Sequence, residues 1–142
     1  MENLSSSIEE LKNIRDLKSK LSKREEEISL PLISDISYMS NIYKYFMEIV
    51  NDTDKVSLRK KFLFIALRLF APSALIGTKL PKGLRVELAK LFPDISPSVI
   101  SNNISDLLFL YQRYKAFRND IDRIYSEIKS MYLSKIPIND AD

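Results

Sequence analysis

An all-α fold is predicted by three observations on this sequence. Apolar residues recur at spacings of three and four along most of the chain. Only two glycines and six prolines interrupt 142 residues. Ser, Asp or Thr stands where several of the apolar runs begin, as a helix N-cap should. The expected architecture is an N-terminal coiled-coil-like helix (1–30), a helical domain with a compact core and a long C-terminal helix (31–133), and a flexible tail (134–142).

The first helix is expected over residues 4–28. Leu4, Ile8, Leu11, Ile14, Leu17, Leu21 and Ile28 form a narrow stripe between charged side chains, with seven-residue steps from 14 to 21 to 28. The step of three from Leu11 to Ile14 disturbs the heptad, so the coil should be short. Pro31 ends it. Ser34 or Asp35 can cap a second helix to about Val50, lined by Ile36, Met39, Ile42, Tyr43, Phe46 and Ile49. Asn51–Asp54 is a turn cluster able to cap a third helix over 55–70. That helix is apolar around most of its second half, which makes it the central core helix. Arg59, Lys60 and Lys61 cluster in its first half and are expected to be exposed.

Pro72 stops the third helix, and residues 73–83, which hold both glycines, read as a loop. A short fourth helix over 83–92 should carry Leu84, Val86, Leu88, Leu91 and Phe92 as its apolar residues and turn Arg85 and Lys90 outward. Ser96 caps a fifth helix, and Pro97 takes its first position, where a missing N–H costs nothing. No further Pro or Gly occurs before Pro137, so one helix of about 35 residues, on the order of 50 Å long, is expected over 97–132. Its distal stripe (114, 117, 121, 124, 128, 131) needs a cover, which the first helix or a second subunit would supply. Homo-oligomerisation through 4–28 and 106–132 is therefore expected.

Composition narrows the chemistry. Hydrophobic residues make up 45% of the chain, with seven Phe and seven Tyr, enough for a core. With no Cys and no His, disulfides, thiolate nucleophiles, the usual zinc ligands and the commonest general base are all lacking. No Asp/Glu pair stands at a catalytic spacing. Gly77 and Lys79 lack the spacing of a phosphate-binding loop. The expectation is a protein that is not an enzyme, with no catalytic residue, no metal and no cofactor. The first twenty residues are charged throughout, and the most apolar run, Phe62–Leu67, is too short to cross a bilayer. A soluble cytoplasmic protein is expected, without a membrane partner.

Net charge is only +3, but its distribution is uneven. From Lys55 to Phe92 nine cations face one anion, Glu87, whereas the first 54 residues carry seven cations and eleven anions. This basic block precedes Leu88-Ala89 and Ile95-Ser96-Pro97-Ser98-Val99-Ile100-Ser101. That stretch resembles the helix-turn-helix of bacterial and phage DNA-binding regulators, including lac-repressor-type domains. Ala89 matches the small residue where the two helices touch, Ile100 the buried anchor, and Ser101 the serine beside it. The turn Phe92-Pro93-Asp94 is one residue longer than the family's usual turn and lacks its glycine.

The resemblance covers about 20 residues within 83–105 and implies a DNA-binding protein of bacterial, phage or mobile-element type. Base contacts would fall to Pro97, Ser98, Ser101 and Asn102, and phosphate contacts to Arg59, Lys60, Lys61, Lys79, Lys82, Arg85 and Lys90. The alternative is a non-enzymatic helical structural or interaction protein (a virion, scaffold or adaptor component), in which the two long charged helices form the assembly surface.

Overall fold

The computed structural model describes residues 4–135, and every regular element among them is helical. The chain divides into two units between Leu30 and Pro31. The first is a single helix, α1 (Leu4–Ser29), none of whose described residues is buried. Its stripe lies open: Leu4 is 75% exposed, Leu21 67%, and even Ile14, the most covered member, 43%.

The second unit holds α2 (Met39–Ile49), α3 (Lys55–Phe70), α4 (Lys82–Leu91), α5 (Pro97–Arg113) and α6 (Lys115–Lys135). Expected caps start three segments. The Asp35 carboxylate accepts the Ser37 amide (3.0 Å) at a 3-10 turn, Ile36–Tyr38, that leads into α2. Asp54 accepts the Ser57 amide (2.9 Å) at α3. Ser96 accepts the Val99 amide (3.4 Å) at α5. Each satisfies a donor that the first helical turn leaves free.

α3 is the central helix: every residue from Phe62 to Phe70 except Arg68 is buried. Ile33, Met39, Ile42, Phe46, Leu84, Leu88, Ile100 and Leu107 are buried with it in one core. An aromatic cluster knits this core, with Tyr43 edge-on to Phe62 at 4.9 Å and to Phe92 at 5.8 Å.

The structure corrects three expectations. The helix foreseen over 97–132 is two helices, because Tyr114 adopts extended backbone (φ −111°, ψ 107°). The bend folds α6 back onto α2, α3 and α5, where Ile121, Ile124 and Ile128 reach 0% exposure. Burying an isoleucine is worth about 1.5–3 kcal/mol, against about 1 kcal/mol for a backbone hydrogen bond, so three buried isoleucines outweigh an interrupted ladder. Phe64 braces the corner, stacked on Tyr111 at 4.7 Å and edge-on to Phe117 at 6.4 Å.

The same packing corrects the expectation that the distal stripe needs the first helix or a second subunit as a cover, since the unit's own core buries Ile121, Ile124 and Ile128. The third correction is Lys61, which is buried rather than exposed. Two smaller differences follow from local geometry. The loop after Pro72 begins with a 3-10 turn, Pro72–Ile76, closed by Gly77 at φ +106°, a conformation that favours glycine. Of the expected tail 134–142, Ser134 and Lys135 belong to α6, and residues 136–142 lie outside the described residues. No described helix is long and apolar enough to cross a membrane.

Candidate nucleic-acid interface

The sequence-predicted site is α4, a turn, and α5. Ala89 is half-buried against the core and Ile100 fully buried, so the two helices meet on their apolar sides. The turn between them is pinned by its own residues. Phe92 and Ile95 pack on the core, and the Ile95 amide donates to the Phe92 carbonyl at 3.2 Å. Pro93 and Asp94 remain exposed. The extra turn residue is thus accommodated by an inward-facing Phe92 rather than by a glycine.

Beyond the turn, α5 separates its faces as its 3.6-residue period requires. Ile100 and Leu107 are buried, while Pro97, Ser98, Asn102 and Ser105 are exposed and Ser101 is half-buried. The Ser96 and Ser98 hydroxyls lie 2.9 Å apart, and the Ser105 hydroxyl donates to the Asn102 carbonyl at 2.7 Å. The Asn102 side chain has no partner among the described residues. Exposed Asp106 ends the neutral stretch of this face.

The cations predicted to flank this face divide into three groups. Lys79 and Arg85 line a groove that also includes Ser101 and Ser105, so both come beside α5. Lys79 and Lys82 are exposed, whereas Arg85 is half-buried and not turned outward as expected. Arg59 is half-buried and donates from Nε to Asn103 Oδ1 at 2.8 Å, which ties α3 to the flank of α5. Lys60 is half-buried beside it. Lys90 is exposed and paired with Glu87 at 2.9 Å, one turn back on α4.

Lys61 leaves the group. Its ammonium lies 2.9 Å from both Asp52 and Asp120, joining the α2–α3 turn to α6. Burial pushes its pKa down, but the hydrogen bonds to Asp120 and Asp52 outweigh that and raise it. Asp52 is held far below the usual carboxylate range, first by the Ser57 hydroxyl, then by Lys61 and the Asp54 amide. A buried lysine with two carboxylate partners is structural.

Neither the Lys61 triad nor the groove follows from any local sequence pattern. Asp52 and Asp120 are 68 residues apart in sequence, so no local pattern joins them. The groove depends on the loop after Pro72 lying against α5, which spacing alone does not encode. Among the described residues no group of three or more Asp or Glu could hold a metal ion. No protein-family model, curated protein or solved structure matches the chain.

Proposed function

We propose that this chain is a helix-turn-helix DNA-binding protein, acting in the cytoplasm and self-associating through α1. The observation that carries the reading is the start of α5. A serine-capped helix follows a core-anchored turn and presents Ser98 and Asn102 to solvent while Ile100 and Leu107 fasten its back. A major groove admits such a helix, and an exposed Asn can pair with adenine through two hydrogen bonds. Lys79, Lys82 and Arg85 would take phosphates, with Arg59, Lys60 and Lys90 at the margins. Lys61 is withdrawn from that set. Short side chains on the reading face give few base contacts per subunit, so a second copy brought by α1 would supply a second half-site.

A salt series of mobility shifts on selected and random DNA tests this. Asn102→Ala should weaken binding to the selected sequence by about 1–3 kcal/mol and leave random DNA little affected. Lys79→Ala and Lys82→Ala should weaken both alike and flatten the salt slope by about one unit each. Binding that ignores salt, or an Asn102→Ala effect equal on both DNAs, refutes the assignment.

A second reading, an assembly or adaptor protein, is favoured by the seven open apolar side chains of α1. Patches of that kind mark interaction surfaces. Its signature would be no DNA binding at any salt concentration, together with an α1-dependent mass.

A further inference from the structure

Beside the α5 face lies a groove of about 620 Å³, formed by residues 74–80, Arg85 and one flank of α5. That volume falls in the range of sites for small organic ligands, about 300–1,000 Å³. Its walls divide chemically. Ile104 and Phe109, the latter 53% exposed, give apolar surface; Lys79 and Arg85 give positive charge; Ser101 and Gln112 give neutral hydrogen-bonding groups. None of the lining residues is acidic.

Arg85 is the unusual member. Its Nε is buried with no hydrogen-bond partner, and its guanidinium forms no ion pair among the described residues. The Arg85 charge is thus left uncompensated among the described residues, and an anion in the groove would compensate it. The 73–78 part of the rim is held by its own bonds: Gly77 turns the chain at φ +106°, and Thr78 donates its amide to the Ser73 carbonyl (3.2 Å) and its hydroxyl to Ser73 Oγ (2.9 Å).

We propose that this groove binds a small organic anion, a carboxylate or phosphate monoester on a flat apolar body. Arg85 and Lys79 take the head, since a guanidinium fork matches the paired oxygens of either group. The body lies against Ile104 and the ring of Phe109, and Ser101 and Gln112 orient it. Inorganic phosphate lacks the body, a neutral aromatic lacks the head, and neither satisfies both walls. Ser101 and Lys79 also belong to the proposed DNA face, so an occupied groove would displace DNA. That consequence rests on the DNA reading, whereas the site itself does not.

An amide-resolved NMR titration of the full chain without DNA tests the site. The probes are 1-naphthoate and 1-naphthyl phosphate, compared with 1-naphthalenemethanol and inorganic phosphate. At least one of the two anionic probes should give saturable shifts confined to residues 74–85 and 101–112, and which one saturates identifies the head. Arg85→Gln and Phe109→Ala, each checked for helicity by circular dichroism, should weaken that probe about tenfold or more. The neutral alcohol and inorganic phosphate should bind at least about tenfold more weakly. No saturation at millimolar probe, equal binding of either control, or indifference to Arg85→Gln overturns the proposal. If one variant unfolds, the other variant and the two controls still decide it. Loss of DNA binding in Asn102→Ala with probe binding intact would separate this site from the DNA reading.

Discussion

α1 and the α5–α6 pair carry the same kind of apolar stripe and meet opposite fates. Wound at about 100° per residue, each stripe swings round its helix part-way along. In α1, Leu4, Ile8 and Leu11 define one direction, and Ile14, Leu17, Leu21 and Ile28 another roughly a third of a turn away. In α5–α6, Ile100, Ile104, Leu107 and Tyr111 point one way, and Phe117, Ile121, Ile124 and Ile128 about a quarter turn away. The second pair of faces has a core to reach, so the chain breaks at Tyr114 and both faces pack against it. α1 has no such core, stays one helix, and leaves both patches in solvent. A shift in stripe phase therefore marks where a helix must either break or find a partner that follows the shift.

The comparison is sharpest in the cost of losing one side chain from each stripe. Ile124→Ala should lower unfolding free energy by about 2–5 kcal/mol, the cost of a cavity at a fully buried site. Leu17, 59% exposed, should cost no more than about 0.5 kcal/mol on the same change. Urea denaturation at low protein concentration measures both. Equal losses would break the contrast, since α1 would then have to be packed in the folded monomer.

Next in size is the Lys61 triad, which fixes α6 to the α2–α3 turn. Removing one partner of a fully buried ion pair costs about 3–5 kcal/mol. Asp120 is 45% exposed here, so Lys61→Ala should cost less, about 2–3 kcal/mol, after allowing for solvent screening. The acid limb has a definite sign. Asp52 sits below its ordinary value of 3.8 in the folded chain, so its contribution is present above that pH and fades as pH falls further. Asp52→Asn should therefore lose most stability at neutral pH and converge on the parent protein as pH drops below about 4. A gap that stays constant down to strongly acid pH would mean that the Asp52 charge contributes nothing.

Much of this was legible in the sequence, for local reasons. The caps at Asp35, Asp54 and Ser96, the central α3, and the two faces of α5 follow from residue type and helical period, which neighbouring residues set. The break at Tyr114 was not, because Gln112-Arg113-Tyr114-Lys115-Ala116 contains no Pro or Gly and every residue there is compatible with helix. Only the phase of the flanking stripes carried that signal. Lys61 misled for a related reason. Three adjacent cations look alike in sequence, yet helical geometry turns them about 100° apart. The third turns toward Asp52 and Asp120, and Arg59 turns to Asn103. Arg85 reads as outward in the sequence because α4 is short and its other charged residues lie outward. Its half-burial depends on how α4 packs in the folded unit, which local spacing does not encode.

The smallest expected effect on stability tests the largest open surface. In α1 the second patch, Ile14 to Ile28, keeps seven-residue steps and places Ile14, Leu21 and Ile28 on one line with Leu17 beside it. The first patch lies off that line. Two α-helices wound into a left-handed supercoil can follow only the seven-residue repeat, so association should depend on the second patch. Leu21→Ser should leave the unfolding midpoint of a dilute sample within about 0.5 kcal/mol of the parent, because Leu21 is 67% exposed. It should nevertheless shift the mass toward monomer in sedimentation equilibrium, and Leu4→Ser should not. Equal effects from both would assign the surface to the whole helix. No effect from either would leave α1 without a role in self-association, and the paired half-sites required by the DNA reading would lose their source.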